Sequence, residues 1–124
     1  KTVYLQKLKV SFLSELEKSG LTFYLNGPPV KEGAPQILNL SFPGPKAEVM
    51  LHALESEGIY VSAGSACHSR RPEPSHVLKA IGLSDDRADS ALRFSFSVMN
   101  SEPEVVAAAA LTARVIGDLQ KMFH

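Results

Sequence analysis

Residues 59–82, IYVSAGSACHSRRPEPSHVLKAIG, contain a strand, a loop and a helix in immediate succession. The β-branched and aromatic run at 59–61 predicts a strand that continues to residue 62. Small residues follow at 62–66 and lead to Cys67, the only cysteine of the chain. Pro74 and Gly82 are the expected start and stop of a short helix. The pattern therefore places Cys67 on a loop between a strand and a helix.

Cys67 has two interpretations on its chemistry alone. A lone cysteine often serves as a small buried hydrophobic residue. However, His68, Arg70 and Arg71 lie close to it in sequence, and cationic neighbours favour the thiolate, which is the reactive form of sulfur. Both a reactive and a structural cysteine fit these residues. A metal site is not expected, because Cys67, His68 and His76 fall short of the three or four ligands that zinc uses.

The rest of the chain predicts an α+β fold. Periodicity and breaker residues indicate helices over 2–18, 46–56, 74–81 and from 101 onward, and strands over 21–25, 36–42, 59–62 and 91–96. The last helix begins with Ser101 and Glu104, which match a capping box. Short connections between these elements favour a small, mostly antiparallel sheet of about four strands with helices packed on one face.

Composition narrows the function classes. With 124 residues the chain is expected to form one domain, 1–124. Thirteen basic residues balance thirteen acidic ones, so no electrostatic signal for nucleic acid or an anionic membrane is present. The apolar runs are too short for a membrane helix. A single cysteine suits the reducing cytoplasm, and the start at Lys1 predicts a fragment of a longer protein.

Several separated motifs carry a family resemblance. They are SAGSAC at 62–67, EPSHVL at 73–78, LRFS at 92–95, YLNG at 24–27 and GAPQILN at 33–39. In this order they resemble the C-terminal small domain of the cysteine desulfurases of the NifS and IscS type, which are pyridoxal-phosphate enzymes of the class V aminotransferase group. One departure is noted: after LRFS the family commonly has a glycine and a basic residue, whereas this chain has FSVMN at 96–100.

The resemblance implies roles for two residues. Cys67 would be the catalytic nucleophile, which takes sulfur from L-cysteine as a persulfide and leaves L-alanine. Arg93 would bind the α-carboxylate of the substrate, because a guanidinium offers a planar two-point contact that lysine lacks. From the residues alone, Arg93 would instead be a solvated charge on a strand.

The resemblance also implies what this chain lacks. Pyridoxal phosphate would be held by a large domain that is absent here, so no cofactor-binding residue and no covalently bound cofactor are expected in residues 1–124, and the fragment alone should be inactive. The implied partners are L-cysteine and a sulfur acceptor, either an iron–sulfur scaffold protein or a tRNA-thiolation enzyme, in a parent that forms a homodimer.

Three alternatives stay open. The parent could be a selenocysteine lyase or another class V relative, whose substrate differs slightly. The chain could also be a sulfur-carrier or protein-interaction module without catalytic activity. Finally, it could be a purely structural domain with a buried Cys67, which would resist thiol reagents in the native state.

Overall fold

A computed structural model of the chain describes residues 2–27, 34–63 and 89–122. These residues form three helices and four strands. The helices are α1 (Thr2–Lys18), α2 (Ala47–Ser56) and α3 (Glu102–Met122), and the strands are β1 (Tyr24–Asn26), β2 (Ile37–Ser41), β3 (Ser62–Ala63) and β4 (Ala91–Ser95). The predicted Cys67 loop and the helix predicted at 74–81 lie outside the described residues.

The four strands form one sheet in the order β1-β2-β4-β3, and every neighbouring pair is antiparallel. Residues 38, 40, 92 and 94 of the two central strands are buried leucines and a phenylalanine, in one cluster with residues from all three helices. The helices therefore cover the same face of the sheet, because successive side chains of a strand point to opposite faces. The predicted α+β class is confirmed.

Helix α1 shows how the core is built from spacing. Leu8, Phe12 and Leu16 recur at four-residue intervals, so they share one face of the helix, and all three are buried. The ring of Phe12 packs against that of Phe94 at 4.9 Å between centroids, in a tilted arrangement. Such aromatic pairs stabilise a core beyond the burial of their area. This contact fixes α1 over β4.

The edge strands differ from their predicted bounds. The strand predicted at 21–25 is observed as β1, Tyr24–Asn26, because only these residues reach partners in β2. The strand predicted at 59–62 is observed as β3, Ser62–Ala63, paired with Arg93 and Leu92. Residues 59–61 of the predicted strand instead line a cavity of about 160 Å³, together with residues 94–96 and the start of α3. The chain at 59–61 thus diverges from β4, and the ladder ends at Ser62.

Local sequence explains the start of α3 and the end of α2. The amide of Glu104 donates to Ser101 Oγ at 3.2 Å, and the amide of Ser101 donates to Glu104 Oε1 at 2.8 Å. The predicted capping box is therefore confirmed at the start of α3. At the end of α2, Gly58 has φ +88°, a left-handed conformation that favours glycine.

Polar side chains connect α1 to the start of α3. The Ser11 hydroxyl donates to Glu102 Oε2 at 2.7 Å, Lys7 Nζ lies 3.6 Å from Glu102 Oε1, and the Tyr4 hydroxyl donates to the carbonyl of Asn100. The hydrogen bond from Ser11, followed by the charge of Lys7, lowers the pKa of Glu102. Both contacts favour the ionised carboxylate in the folded state.

No described helix combines the length and the apolar character needed to cross a membrane.

We expect Glu102→Gln to weaken the acid dependence of stability. Because folding lowers the pKa of Glu102, its carboxylate stabilises the fold at pH values above its unfolded pKa, near 4.5. That contribution is lost as the pH falls through the lower, folded pKa. The difference in free energy of unfolding between wild type and variant should therefore be constant from pH 6 to 8 and shrink below about pH 4.5. Urea titrations across this range measure it, and a difference that does not depend on pH would contradict the assignment.

Thr112 provides a second test, of the core. Its Oγ1 is fully buried in α3. Among the described side chains it is the one buried polar atom that has no hydrogen-bond partner. Thr112→Val keeps the shape and removes the unpaired hydroxyl, so it should raise the free energy of unfolding by about 1 kcal/mol. Thr112→Ser keeps the hydroxyl and loses a methyl group, and it should destabilise. A valine variant less stable than wild type would show that the hydroxyl is satisfied in solution.

Candidate functional site

A row of polar residues crosses the face of the sheet opposite the helices. The strand register places Asn26 opposite Asn39, Asn39 opposite Arg93, and Arg93 opposite Ser62. Each strand contributes one member, and directly opposed residues of antiparallel strands have Cβ atoms about 4.5–5.5 Å apart. We call these four residues the polar row. It brings Arg93, predicted from its motif, together with three polar side chains from the other strands.

Arg93 lies near the middle of β4, which is hydrogen-bonded to neighbours on both edges. Leu92, Phe94 and Phe96 point into the core, so alternation directs Arg93 to the opposite face, as the sequence predicts. The side chain is half-buried, and its Nε donates to Ser62 Oγ at 3.1 Å. Arg93 is therefore an anchored group, in contrast to the freely solvated charge that the sequence alone allowed. Its proposed role in binding substrate stays a prediction.

The β1 end of the row is tied together by a buried amide. Asn26 Nδ2 donates to Asn39 Oδ1 at 3.1 Å and to Ser41 Oγ at 2.8 Å. Asn26 is only 5% exposed and Ser41 is fully buried. Buried hydrogen bonds of this kind hold side chains in a single arrangement, because breaking them leaves polar groups without partners. The row is thus fixed at both ends, by Asn26 on β1 and by Ser62 on β3.

This arrangement is suited to an anion. A guanidinium carries five N–H donors and no acceptor, and Arg93 has no carboxylate partner among the described residues. Planar two-point binding of a carboxylate or phosphate is the characteristic use of such a group. Asn39 Oδ1 accepts a hydrogen bond from Asn26. The NH₂ group of the Asn39 side chain is therefore a second donor beside Arg93. The centre of the row therefore offers donors from two adjacent strands.

The described residues include one buried lysine, and it does not lie beside Arg93. The buried lysine among them, Lys9, lies on α1 in the helical layer, and its Nζ donates to the carbonyl of Ala34 at 2.9 Å. Burial lowers the pKa of Lys9. Arg93 lies on the other face of the sheet, so the two side chains do not converge. The described part of the chain contains no cluster of three or more histidine, cysteine, aspartate or glutamate residues that could hold a metal ion.

Cys67, His68, Arg70, Arg71 and His76 lie outside the described residues, so the nucleophile predicted from sequence is not placed by the structure. Three other members of the site were not predicted: Asn26, Asn39 and Ser62. The alternation of residues 37–41 puts Asn39 on a polar face, but the cross-strand register that aligns it with Arg93 is a tertiary property.

Comparisons with known proteins agree on one family. Residues 3–107 match the model of the family described as aminotransferase class-V. The cysteine desulfurase IscS of Edwardsiella ictaluri is 44% identical over 99 residues, which cover 80% of this chain and 24% of that protein. A putative cysteine desulfurase, IscS 1 of Bacillus subtilis, is 39% identical over 112 residues, 90% of this chain and 29% of the relative.

Solved structures show the same similarity. A structure described as a NifS-like protein superposes with a TM-score of 0.76 at 26% identity and covers 95% of this chain and 28% of its own. A NifS-like protein from Rickettsia africae shares the fold, with a TM-score of 0.71 at 22% identity. The chain thus spans about a quarter of the length of the curated relatives that it matches.

The Asn26 amide should be a main support of the polar row. Asn26→Ala removes the donor that serves Asn39 and Ser41, so we expect the free energy of unfolding to fall by roughly 1–3 kcal/mol. Asn26→Asp keeps the shape but places a carboxylate against two oxygen atoms, and burial should raise its pKa. This variant should therefore be less destabilised at pH 4 than at pH 7. Urea unfolding at both pH values measures this, and wild-type stability in both variants would contradict the arrangement.

Proposed function

The chain belongs to the class V aminotransferase family, and from this premise we propose that it is the C-terminal small domain of a cysteine desulfurase. The parent enzyme would convert L-cysteine to L-alanine and retain the sulfur as a persulfide. Relatives named as cysteine desulfurases at 39–44% identity support the reaction class. The observation on which the proposal depends most is the anchored Arg93, whose planar guanidinium lies on the polar face of the sheet.

Arg93 would bind the α-carboxylate of L-cysteine. A half-buried guanidinium attracts an anion more strongly than an exposed one, because fewer water molecules screen the charge. Two parallel hydrogen bonds would also fix the orientation of the amino acid, and with it the position of its amino group and thiol relative to the sheet. Arg93 is thereby assigned to substrate binding and orientation.

Cys67 would accept the sulfur. In the overall exchange L-cysteine and the Cys67 thiol yield L-alanine and a Cys67 persulfide: one carbon–sulfur bond breaks, one sulfur–sulfur bond forms, and carbon receives a hydrogen. No external oxidant is needed. Four positions separate Cys67 from Ala63 at the end of β3, and four extended residues span at most ~14 Å. The strand that contacts Arg93 is thus close in sequence to the proposed nucleophile.

Pyridoxal phosphate would supply the electron sink for cleavage of the carbon–sulfur bond. We assign its binding to a large domain outside residues 1–124. Further proposals are a cytoplasmic location, a homodimeric parent, and delivery of the persulfide sulfur to an iron–sulfur scaffold protein or a tRNA-thiolation enzyme. They rest on the family and on the single cysteine of the chain.

The reaction can be tested by locating the sulfur. The full-length enzyme is incubated with L-cysteine in the absence of reductant, and the added mass is mapped by mass spectrometry. We expect one additional sulfur on Cys67, together with production of alanine. Cys67→Ser, which keeps the size of the side chain but is not a thiol, should abolish both the persulfide and the turnover of L-cysteine.

Two outcomes would contradict parts of this proposal. Alanine production with an unmodified Cys67 would assign the sulfur transfer to another residue. No alanine from L-cysteine would reject the desulfurase reaction itself and leave the family membership as a statement about fold.

The role of Arg93 has a separate test. Arg93→Lys keeps the positive charge and loses the planar two-point geometry, so we expect KM for L-cysteine to rise by about tenfold or more. Cysteine methyl ester lacks the carboxylate charge, and its KM should change little. Steady-state kinetics of the full-length holoenzyme with both substrates measures the difference. An equal change for acid and ester would contradict recognition of the carboxylate by Arg93.

A further inference from the structure

The hydrogen bond between Arg93 and Ser62 restricts how the guanidinium can bind an anion. A guanidinium has two kinds of edge for a two-point contact: the side edge, formed by Nε and one Nη, and the end, formed by both Nη atoms. Ser62 Oγ accepts from Nε at 3.1 Å and so occupies the side edge that includes Nε. No acceptor among residues 2–27, 34–63 and 89–122 is hydrogen-bonded to the end edge, whose parallel N–H bonds match a carboxylate.

Ser62 is well placed to hold this orientation. It lies directly opposite Arg93 in the ladder between β3 and β4, so the short side chain bonds its neighbour across one strand spacing. Both side chains are half-buried. A serine has one rotatable bond before its oxygen, so little conformational entropy is lost when it is held in place. Ser62 therefore constrains Arg93 more firmly than a long, mobile side chain would.

Asn39 is the cross-strand neighbour of Arg93 on the other side of β4. It lies opposite Arg93 on β2, and its Oδ1 accepts from Asn26, so its amide NH₂ is the arm not used in that bond. Strands on both sides of β4 thus contribute to the polar row, with an acceptor on the β3 side and a donor on the β2 side. Ser62 Oγ accepts from Arg93 Nε. The Nη atoms of Arg93 and the NH₂ group of Asn39 are the donors that can bind an anion.

We propose that Ser62 is a positioning residue that presents the two Nη atoms of Arg93, end-on, to the α-carboxylate of the substrate. This proposal rests on the carboxylate-binding role proposed for Arg93 above. Ser62 itself does not contact the substrate. Ala63, the last residue of β3, is four positions before Cys67 in the sequence.

The test compares two variants that differ only in a hydroxyl. Ser62→Thr keeps the acceptor, and Ser62→Val replaces that hydroxyl with a methyl group in a side chain of the same shape. Both are β-branched and suit a strand. In the full-length holoenzyme, we expect Ser62→Val to raise KM for L-cysteine about tenfold with kcat nearly unchanged, the size of one lost hydrogen bond to a charged group. Ser62→Thr should stay within about twofold of wild type.

Two controls separate positioning from a general structural effect. The KM for cysteine methyl ester should be equal in Ser62→Val and Ser62→Thr, because the ester carries no carboxylate. Calorimetric binding should show the same pattern without turnover: L-alanine should bind more weakly to Ser62→Val, whereas L-alaninamide should bind both variants alike. A loss of affinity that is equal for the acid and the amide would overturn the proposal.

A double-mutant cycle isolates the contact itself. A lysine at position 93 has no nitrogen at the place of the arginine Nε, so the hydrogen bond to Ser62 is already absent. Ser62→Val in the Arg93→Lys background should therefore add less than a twofold change in KM. If Ser62→Val raises KM by the same factor in the Arg93→Lys background as in wild type, the two effects are independent and the proposal is overturned. If Arg93→Lys impairs L-cysteine while Ser62→Val is silent, the positioning role fails and Arg93 keeps its proposed function. If Arg93→Lys itself leaves KM for L-cysteine unchanged, the carboxylate-binding role fails, and the positioning role fails with it.

Discussion

Strand β4 is the element on which the rest of the sheet depends, because it is hydrogen-bonded to β2 on one edge and to β3 on the other. Its alternation separates two environments that are one residue apart. Leu92 and Phe94 enter the core, and Arg93 points to the opposite face. A shift of the pairing by one residue would bury the guanidinium and expose the apolar side chains. Burial of an unpaired charge is far more costly than loss of a single apolar contact. The chemistry of Arg93 therefore helps to define the register.

The helical layer holds β4 in this position through packing. Phe12 of α1 contacts the rings of Phe94 and Phe96 with centroid distances of 4.9 and 5.5 Å. Complete burial of one such side chain contributes about 1.5–3 kcal/mol, so the core resists movement of the strand. On the other face the stabilising contacts are hydrogen bonds, from Asn26 to Asn39 and from Arg93 to Ser62. An apolar layer thus fixes the backbone, and polar contacts fix the orientation of the guanidinium.

Much of this arrangement can be predicted from local sequence. Period-two alternation predicts β2, β4 and the face that Arg93 occupies, and the capping box predicts the start of α3. The edges are less predictable, because the extent of β1 and β3 depends on which residues reach a partner strand. The apolar run at 59–61 has the composition of a strand, yet it lines a cavity beside residues 94–96 and leaves the ladder. Composition does not encode such a divergence.

The polar row illustrates the same limit for function. The family resemblance implies a role for Arg93, whereas Asn26, Asn39 and Ser62 lie in motifs that imply no role for them until the register aligns them. Short polar side chains in strands occur for many reasons, and their sequence positions are up to 67 residues apart, from Asn26 to Arg93. The strand register aligns all four residues, and the 3.1 Å hydrogen bond from Arg93 Nε to Ser62 Oγ joins two of them directly.

In the proposed function, Arg93 on the polar face of this sheet receives the carboxylate of an amino acid. A crystal structure of the full-length holoenzyme with bound L-alanine tests it most directly. We expect both carboxylate oxygens within hydrogen-bond distance of the two Nη atoms of Arg93, about 2.7–2.9 Å, with Nε still bonded to Ser62. A carboxylate bound by other residues, with Arg93 turned away from the ligand, would contradict it.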